Sequence, residues 1–227
     1  EILVRFKKKY YLCSVKLIYR DMIRYAIDQL KAWVHQPNRK PLILQGARQV
    51  GKTWLMKQFA AECFEHSVYV NFENNQLLEH LFEKDFDMER ILMELQIATH
   101  TTITPNTLLL FDELQEVKRG VTALKYFQEL LPEQPIIAAG SLLGIAMHRD
   151  DSFPVGKVDF LTLYPMSFFE FAEAMGEQLL VKQLQDQRWE IINKYASRLE
   201  TLLRQYFYVG GMPEVVSAFV QNKDFVQ

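Results

Sequence analysis

Gly46-Ala47-Arg48-Gln49-Val50-Gly51-Lys52-Thr53 follows the apolar run Leu42-Ile43-Leu44 and leads into a helix-forming segment. The spacing is G-x-x-x-x-G-K-[ST], set between a predicted strand and a predicted helix, which is the setting a phosphate-binding loop requires. Each residue type has a physical reason. Gly46 and Gly51 admit backbone angles that a Cβ forbids, so successive N–H groups, those of Ala47, Arg48, Gln49 and Val50 among them, can turn inward around an anion at a helix N-terminus. Lys52 adds a point charge on a stem long enough to reach the β- and γ-phosphates, and the Thr53 hydroxyl is one oxygen ligand for Mg²⁺. The cofactors this predicts are ATP and magnesium.

Outward from the loop, strand and helix signals alternate. Upstream, Asp21 is placed to cap a helix whose apolar positions Ile23, Ile27, Leu30 and Val34 recur at helical spacing and which stops in the turn His35-Gln36-Pro37-Asn38. Pro41 opens the first strand, 42 to 45, and the helix after the loop runs to about Cys63. Val68-Tyr69-Val70-Asn71-Phe72 reads as a second strand. Over 74 to 99, Leu77, Leu78, Leu81 and Phe82, then Met88, Ile91, Leu92 and Leu95, fall at helical periods, which predicts two helices. Thr107-Leu108-Leu109-Leu110-Phe111 is continuously apolar, as a strand covered on both faces of a parallel sheet must be. A helix from about Val121 to Leu131 precedes a fourth strand of that kind, Ile136-Ile137-Ala138-Ala139, and Val158 to Leu163 is the fifth.

Such alternation, without tight hairpin signals, predicts an α/β protein: a five-stranded parallel sheet with helices on both faces. From 166 the character changes to MSFFEFAEAMG, a helical stretch from Leu179 to Val209, and Gly210-Gly211-Met212-Pro213-Glu214 before a last helix. The division this suggests is a basic arm over 1–17, a nucleotide-binding core over 18–165, and a small helical lid or the start of a further domain over 166–227.

Charge and cysteine usage narrow the class. The net charge of -2 hides a basic start, in which Arg5, Lys7, Lys8, Lys9, Lys16 and Arg20 face Glu1 alone. Phe6, Tyr10 and Tyr11 interleave with those cations, a composition that binds nucleic-acid backbone, although a solvated tail is the commoner meaning of such a segment. Cys13 and Cys63 do not form a C-x-x-C spacing, and the histidines lack metal-ligand spacing, so neither a disulfide framework nor a zinc site is expected. A reducing, cytoplasmic setting follows. No apolar run reaches the length of a membrane span, since 10–19 is short and contains Lys16.

In open parallel sheets ligands sit beyond the carboxyl ends of the strands, and this chain puts polar residues there. Asp112 ends the third strand and is placed to hold Mg²⁺ through water; Glu113, next to it, is placed to orient and polarise an attacking water. An acidic pair at a strand end also serves as a helix cap, but beside a phosphate-binding loop catalysis is the favoured reading. Ser141, at the end of the fourth strand, is a candidate γ-phosphate sensor, with a turn and helix cap as the alternative. Asn71 and Glu73 flank the end of the second strand, where a polar side chain could hold Glu113 in an unproductive orientation.

Together GARQVGKT, LLLFDELQ with LKYFQEL, AAGSLLG, SFPVGKVDFLTLYPMSFFEF and GGMPEVV resemble the prokaryotic AAA-type P-loop ATPases whose core is followed by a C-terminal domain of uncharacterised role. The resemblance runs from about Ile18 to Ala218, and most of that C-terminal domain lies outside these residues. It implies a sheet in the order 5-1-4-3-2, Asp112-Glu113 as the acidic motif and Ser141 as sensor. Where many members carry an arginine this chain has Lys157, which lacks a guanidinium's planar fork. An arginine finger would then come from Arg149 or from a neighbouring copy of the chain, which makes a homo-oligomer one expected partner beside an unidentified protein. The turn before the last helix is either a plain helix start, with Pro213 in the first turn, or an element that packs Met212 and Pro213 against the adenine ring, as related ATPases imply. The activity expected is hydrolysis of ATP to ADP and phosphate. The alternative is a nucleotide-binding switch with negligible turnover that recruits a protein or nucleic-acid partner.

Overall fold

The computed structural model describes residues 22–73, 75–141, 154 and 156–222, with the backbone alone at 141 and 222. The chain divides into two units, one of residues 26–163 and one of residues 1–25 with 164–227.

The larger unit is a parallel sheet built from β1 (Leu42–Gly46), β2 (Ser67–Asn71), β3 (Leu108–Asp112), β4 (Ile136–Ser141) and β5 (Asp159–Leu163) in the order β2-β3-β4-β1-β5. This is the order 5-1-4-3-2 that the resemblance implies. The period of two along the strands divides the apolar residues between two cores. Leu108 and Leu110 of β3 join Leu42, Leu44, Ile137 and Ala139 on one face. Leu109 and Phe111 join Ile43, Val68, Val70 and Ala138 on the other. A strand covered twice cannot alternate apolar with polar, which is why β3 reads as an unbroken run.

Two helices close the first face, α1 (Ala26–Val34) through Leu30 and Trp33 and α2 (Lys52–Cys63) through Leu55, Met56, Phe59 and Ala60. The second face is covered by α3 (Met88–Thr99) and α4 (Gly120–Leu130), chiefly through Ile91, Leu95, Leu124 and Phe127. Asp87 caps α3 by accepting from the N–H groups of Glu89 and Arg90, and His100 in the left-handed region (φ 52) stops it.

Two expectations change. The chain over 76–84 is a succession of turns and not a first helix: Leu78 N–H donates to Asn75 O, Leu81 to Leu78 O and Glu83 to His80 O, all three residues back. The carbonyls a helix would need go to arginines, Leu81 O to Arg90 Nη2 (3.0 Å) and Glu83 O to Arg119 Nη1 (2.8 Å). Leu78, Leu81 and Phe82 are still buried, so turns satisfy the same apolar pattern. The helix expected after Asp21 begins at Ala26, after Arg24 Nε and Tyr25 N–H have both bonded Glu170 Oε1 (3.2 and 2.9 Å). Asp21, its expected cap, lies outside the described residues.

The second unit is helical: α5 (Phe168–Ala174), α6 (Gln178–Gln185), α7 (Trp189–Lys194), α8 (Ala196–Val209) and α9 (Pro213–Asn222). Ser167 and Glu170 form a capping box at α5. Glu170 is also the buried partner of Arg24, which reaches on to Tyr164 O at 2.6 Å. Phe168, Phe171, Tyr206 and Phe219 form the aromatic centre of this unit. The turn before α9 returns to the same place, where Met166 N–H donates to Gly211 O (2.6 Å) and Tyr206 Oη to Met166 O (2.8 Å).

Candidate functional site: the carboxyl ends of the strands

Parallel pairing aligns β1, β4 and β5 so that Gly46 is level with Ser141 on one side and with Leu163 on the other. Gly46 is required for closeness, because a Cβ there would run into the Leu163 carbonyl. Val50, wholly buried, anchors the loop from below. Gly51 then turns the chain through the left-handed region (φ 94, ψ 23) and starts α2 with no capping side chain, so the first-turn N–H groups face the loop. Ala47, Arg48 and Gln49 are exposed around it.

Lys52 lies inside this turn, 7% exposed, donating from Nζ to Gly46 O (3.0 Å) and Ala47 O (2.9 Å). Burial lowers its pKa below the ordinary lysine value, and the charges of Glu113 and Asp112 oppose that shift. One helical position on, Thr53 Oγ1 donates to Asp112 Oδ2 at 2.6 Å. The pairing follows from parity: Asp112 continues the row Leu108, Leu110 on the face that α2 covers.

Asp112 is 3% exposed, and its Oδ1 has no hydrogen-bond partner. A buried carboxylate oxygen without a partner, beside a hydroxyl, is the donor chemistry of Mg²⁺, which takes one or two protein oxygens and completes its shell with water and phosphate. Thr53 and Asp112 therefore fit the ion. Among the described residues no group of three or more His, Cys, Asp or Glu could hold a metal.

Tyr69 was not picked out by the sequence. Its Oη donates to Asp112 Oδ2 at 3.0 Å, and Lys57 Nζ sits 3.7 Å over its ring. Burial first, then the Asp112 carboxylate, push its pKa far above the usual tyrosine range, so it serves as a neutral donor. Its signal was parity, since Tyr69 is level with Leu110 in register and shares that strand's α2-facing row.

The family model described as AAA domain matches residues 38–172. The chain belongs to this AAA family. Among solved structures the AAA chain is similar to the Walker-type ATPase Paby2304 of Pyrococcus abyssi, with TM-score 0.51 and 17% identity over 90% of this chain and 69% of that one. It is also similar to the RuvB Holliday junction branch migration motor of Thermotoga maritima, with TM-score 0.47 and 14% identity over 88% of this chain and 61% of that one. At 17% identity the likeness to Paby2304 concerns the fold alone. No curated protein matches the chain.

Within the AAA domain the expected site residues Gly46 to Thr53, Asp112 and Glu113 all stand at one end of the sheet. Ser141 stands there by its backbone, level with Gly46. Asn71 is turned to its own segment, where its Oδ1 accepts from Glu73 N–H at 2.9 Å, a local turn made possible by their spacing of two. The side chain on Glu113 is instead Gln115, whose Nε2 donates to Glu113 Oε2. Lys157 is paired with Glu129 at 2.9 Å. Arg149 and the basic arm lie outside the described residues. Met212 and Pro213 belong to the helical unit, where Pro213 is buried as the first residue of α9. Among the described residues no helix is long and apolar enough to cross a membrane.

Proposed function

We propose that this AAA domain binds ATP with magnesium and hydrolyses it to ADP and phosphate. The observation that carries this is the Thr53–Asp112 contact, with the partnerless Asp112 Oδ1 beside it and Glu113 one residue on. A loop that only gripped phosphate would not need that buried carboxylate at its metal side.

In this reading Lys52 exchanges the carbonyls of Gly46 and Ala47 for phosphate oxygens, and the loop N–H groups hold the β-phosphate at the start of α2. Thr53 and Asp112 would hold Mg²⁺, which when bound neutralises charge on the β- and γ-phosphates. Tyr69 donates to Asp112 Oδ2 and orients the carboxylate. Glu113 takes the proton of the attacking water, and Ser141 contacts the γ-phosphate.

Replacing Glu113 by Gln keeps shape and hydrogen bonding but removes the base. Steady-state phosphate release is expected to fall by about two to four orders of magnitude, while calorimetric Mg-ATP affinity stays unchanged. Near-wild-type turnover in this variant would reduce Glu113 to a structural residue. Tight ATP binding by the wild type with no phosphate release would make the protein a nucleotide switch.

A further inference from the structure

Gln115 lies in the 3₁₀ turn Leu114–Glu116 that follows β3. One end of its carboxamide, Nε2, donates to Glu113 Oε2. The other end lies over β4: a Cβ built on Gly140 would run into Gln115 Oε1, with Cδ at 3.3 Å and Nε2 at 3.8 Å. All three nearest atoms belong to this one side chain. Gly140 is not among the residues of positive φ, so space and not backbone conformation calls for glycine there.

The turn itself is held from both sides. Glu113 begins it in the left-handed region (φ 51, ψ 42), and Gly120 packs so closely on Leu114 that a Cβ would meet its carbonyl and its Cδ1. Glu113 therefore has a fixed backbone, and its remaining freedom is that of its side chain.

We propose that Gln115 is a positioning residue for the reaction: seated on Gly140, its carboxamide fixes the Glu113 carboxylate in the orientation that receives the proton of the attacking water. The inference rests on the ATPase reading above. A carboxamide suits the task because its donor and acceptor lie in one plane, so the seat of Oε1 on β4 sets the direction in which Nε2 points. It also links the base to the strand end that carries Ser141, one residue beyond Gly140.

A set of five variants separates this from a merely structural role. Gln115→Leu keeps bulk and removes the donor. Gly140→Ala keeps the donor but displaces it, and Gln115→Ala combined with Gly140→Ala removes the collision. Turnover of Mg-ATP, ATP affinity and thermal unfolding would be measured for each. Gln115→Leu and Gly140→Ala are each expected to lower kcat by about 10- to 100-fold, the usual cost of misplacing a catalytic group, with ATP affinity unchanged. The combined variant is expected to be no slower than Gln115→Ala alone. Adding Gln115→Leu to Glu113→Gln is expected to cost nothing more, because Gln115 acts only through that carboxylate. If Gln115→Leu does not fold, Gly140→Ala carries the test, since it presses only on the end of a flexible side chain. An unchanged kcat in Gly140→Ala, or a full further loss in the Glu113→Gln background, overturns the proposal. Turnover that depends on Glu113 but not on Gln115 sinks this inference alone, whereas turnover indifferent to Glu113 sinks the ATPase reading and this with it.

Discussion

Lys52 shows how one side chain can be prepared for an anion before any arrives. Its ammonium is buried and held by two loop carbonyls, Gly46 O and Ala47 O, which are neutral acceptors. Phosphate oxygens offer the same geometry with full charge. Lys52→Ala is therefore expected to weaken ATP by about 1.5 to 3 kcal/mol, the range for hydrogen bonds to charged groups. Unchanged affinity by calorimetry would remove the loop from the binding site. The motif made Lys52 legible at once. Tyr69 and Gln115 were not: Tyr69 acquires its role from the strand laid beside it, and Gln115, although it closes the run LLLFDELQ two residues after Glu113, has its seat on Gly140 of the next strand.

At the scale of elements, the turn between α8 and α9 makes the sharpest demand on sequence. Gly210 has φ 74 and ψ −171, a region open in practice only to glycine. Gly211 lies so close to Met166 that a Cβ would strike its carbonyl. Gly210→Ala is expected to cost about 1 to 3 kcal/mol of stability from backbone strain alone. Denaturant unfolding that leaves the midpoint unmoved would show that the turn relaxes.

The start of the helical unit carries a pH signature. Burial, with the Glu173 carboxylate beside it, raises the Tyr25 pKa from its ordinary 10.0 to about 12. The folded state thus favours the neutral phenol. Its contribution is complete below about pH 10 and is lost as the pH rises toward about 12, because there the unfolded chain ionises first. The wild type is expected to lose more stability than Tyr25→Phe over that interval. Parallel melting curves for the two proteins between these pH values would contradict the assignment.

For the whole molecule, ligand binding and stability are linked. A ligand at one hundred times its Kd stabilises the native state by about 2.7 kcal/mol, and for a chain of this size each kcal/mol raises Tm by about 2 to 4 °C. Saturating Mg-ATP is therefore expected to raise Tm by about 5 to 10 °C. Lys52→Ala should keep only about a tenth to a half of that shift at the same concentration. Asp112→Asn should retain a shift with ATP but lose most of its magnesium dependence. An equal magnesium dependence in wild type and Asp112→Asn would place the metal elsewhere.

The parallel sheet, the phosphate-binding loop and the acidic pair were determined by sequence alone, because each depends on short-range chemistry: runs of apolar residues, glycines at fixed spacing, carboxylates next to a strand end. The boundaries of the loop, α2 and the strands followed to within a residue or two. What only the tertiary structure decided lies between elements. The apolar residues at 77, 78, 81 and 82 are compatible with a helix or with turns; the chain there forms turns, and arginines 90 and 119, reaching in from elsewhere, take the carbonyls of Leu81 and Glu83. The same holds for Glu113, the proposed base. Asn71 is near in the expected topology, but its side chain turns to its own segment, where Oδ1 accepts from Glu73 N–H. Gln115 reaches Glu113 because Gly140, one strand over, leaves room for it. That bond spans only two residues, but the space its carboxamide occupies is set by strand order and register, which no local spacing encodes.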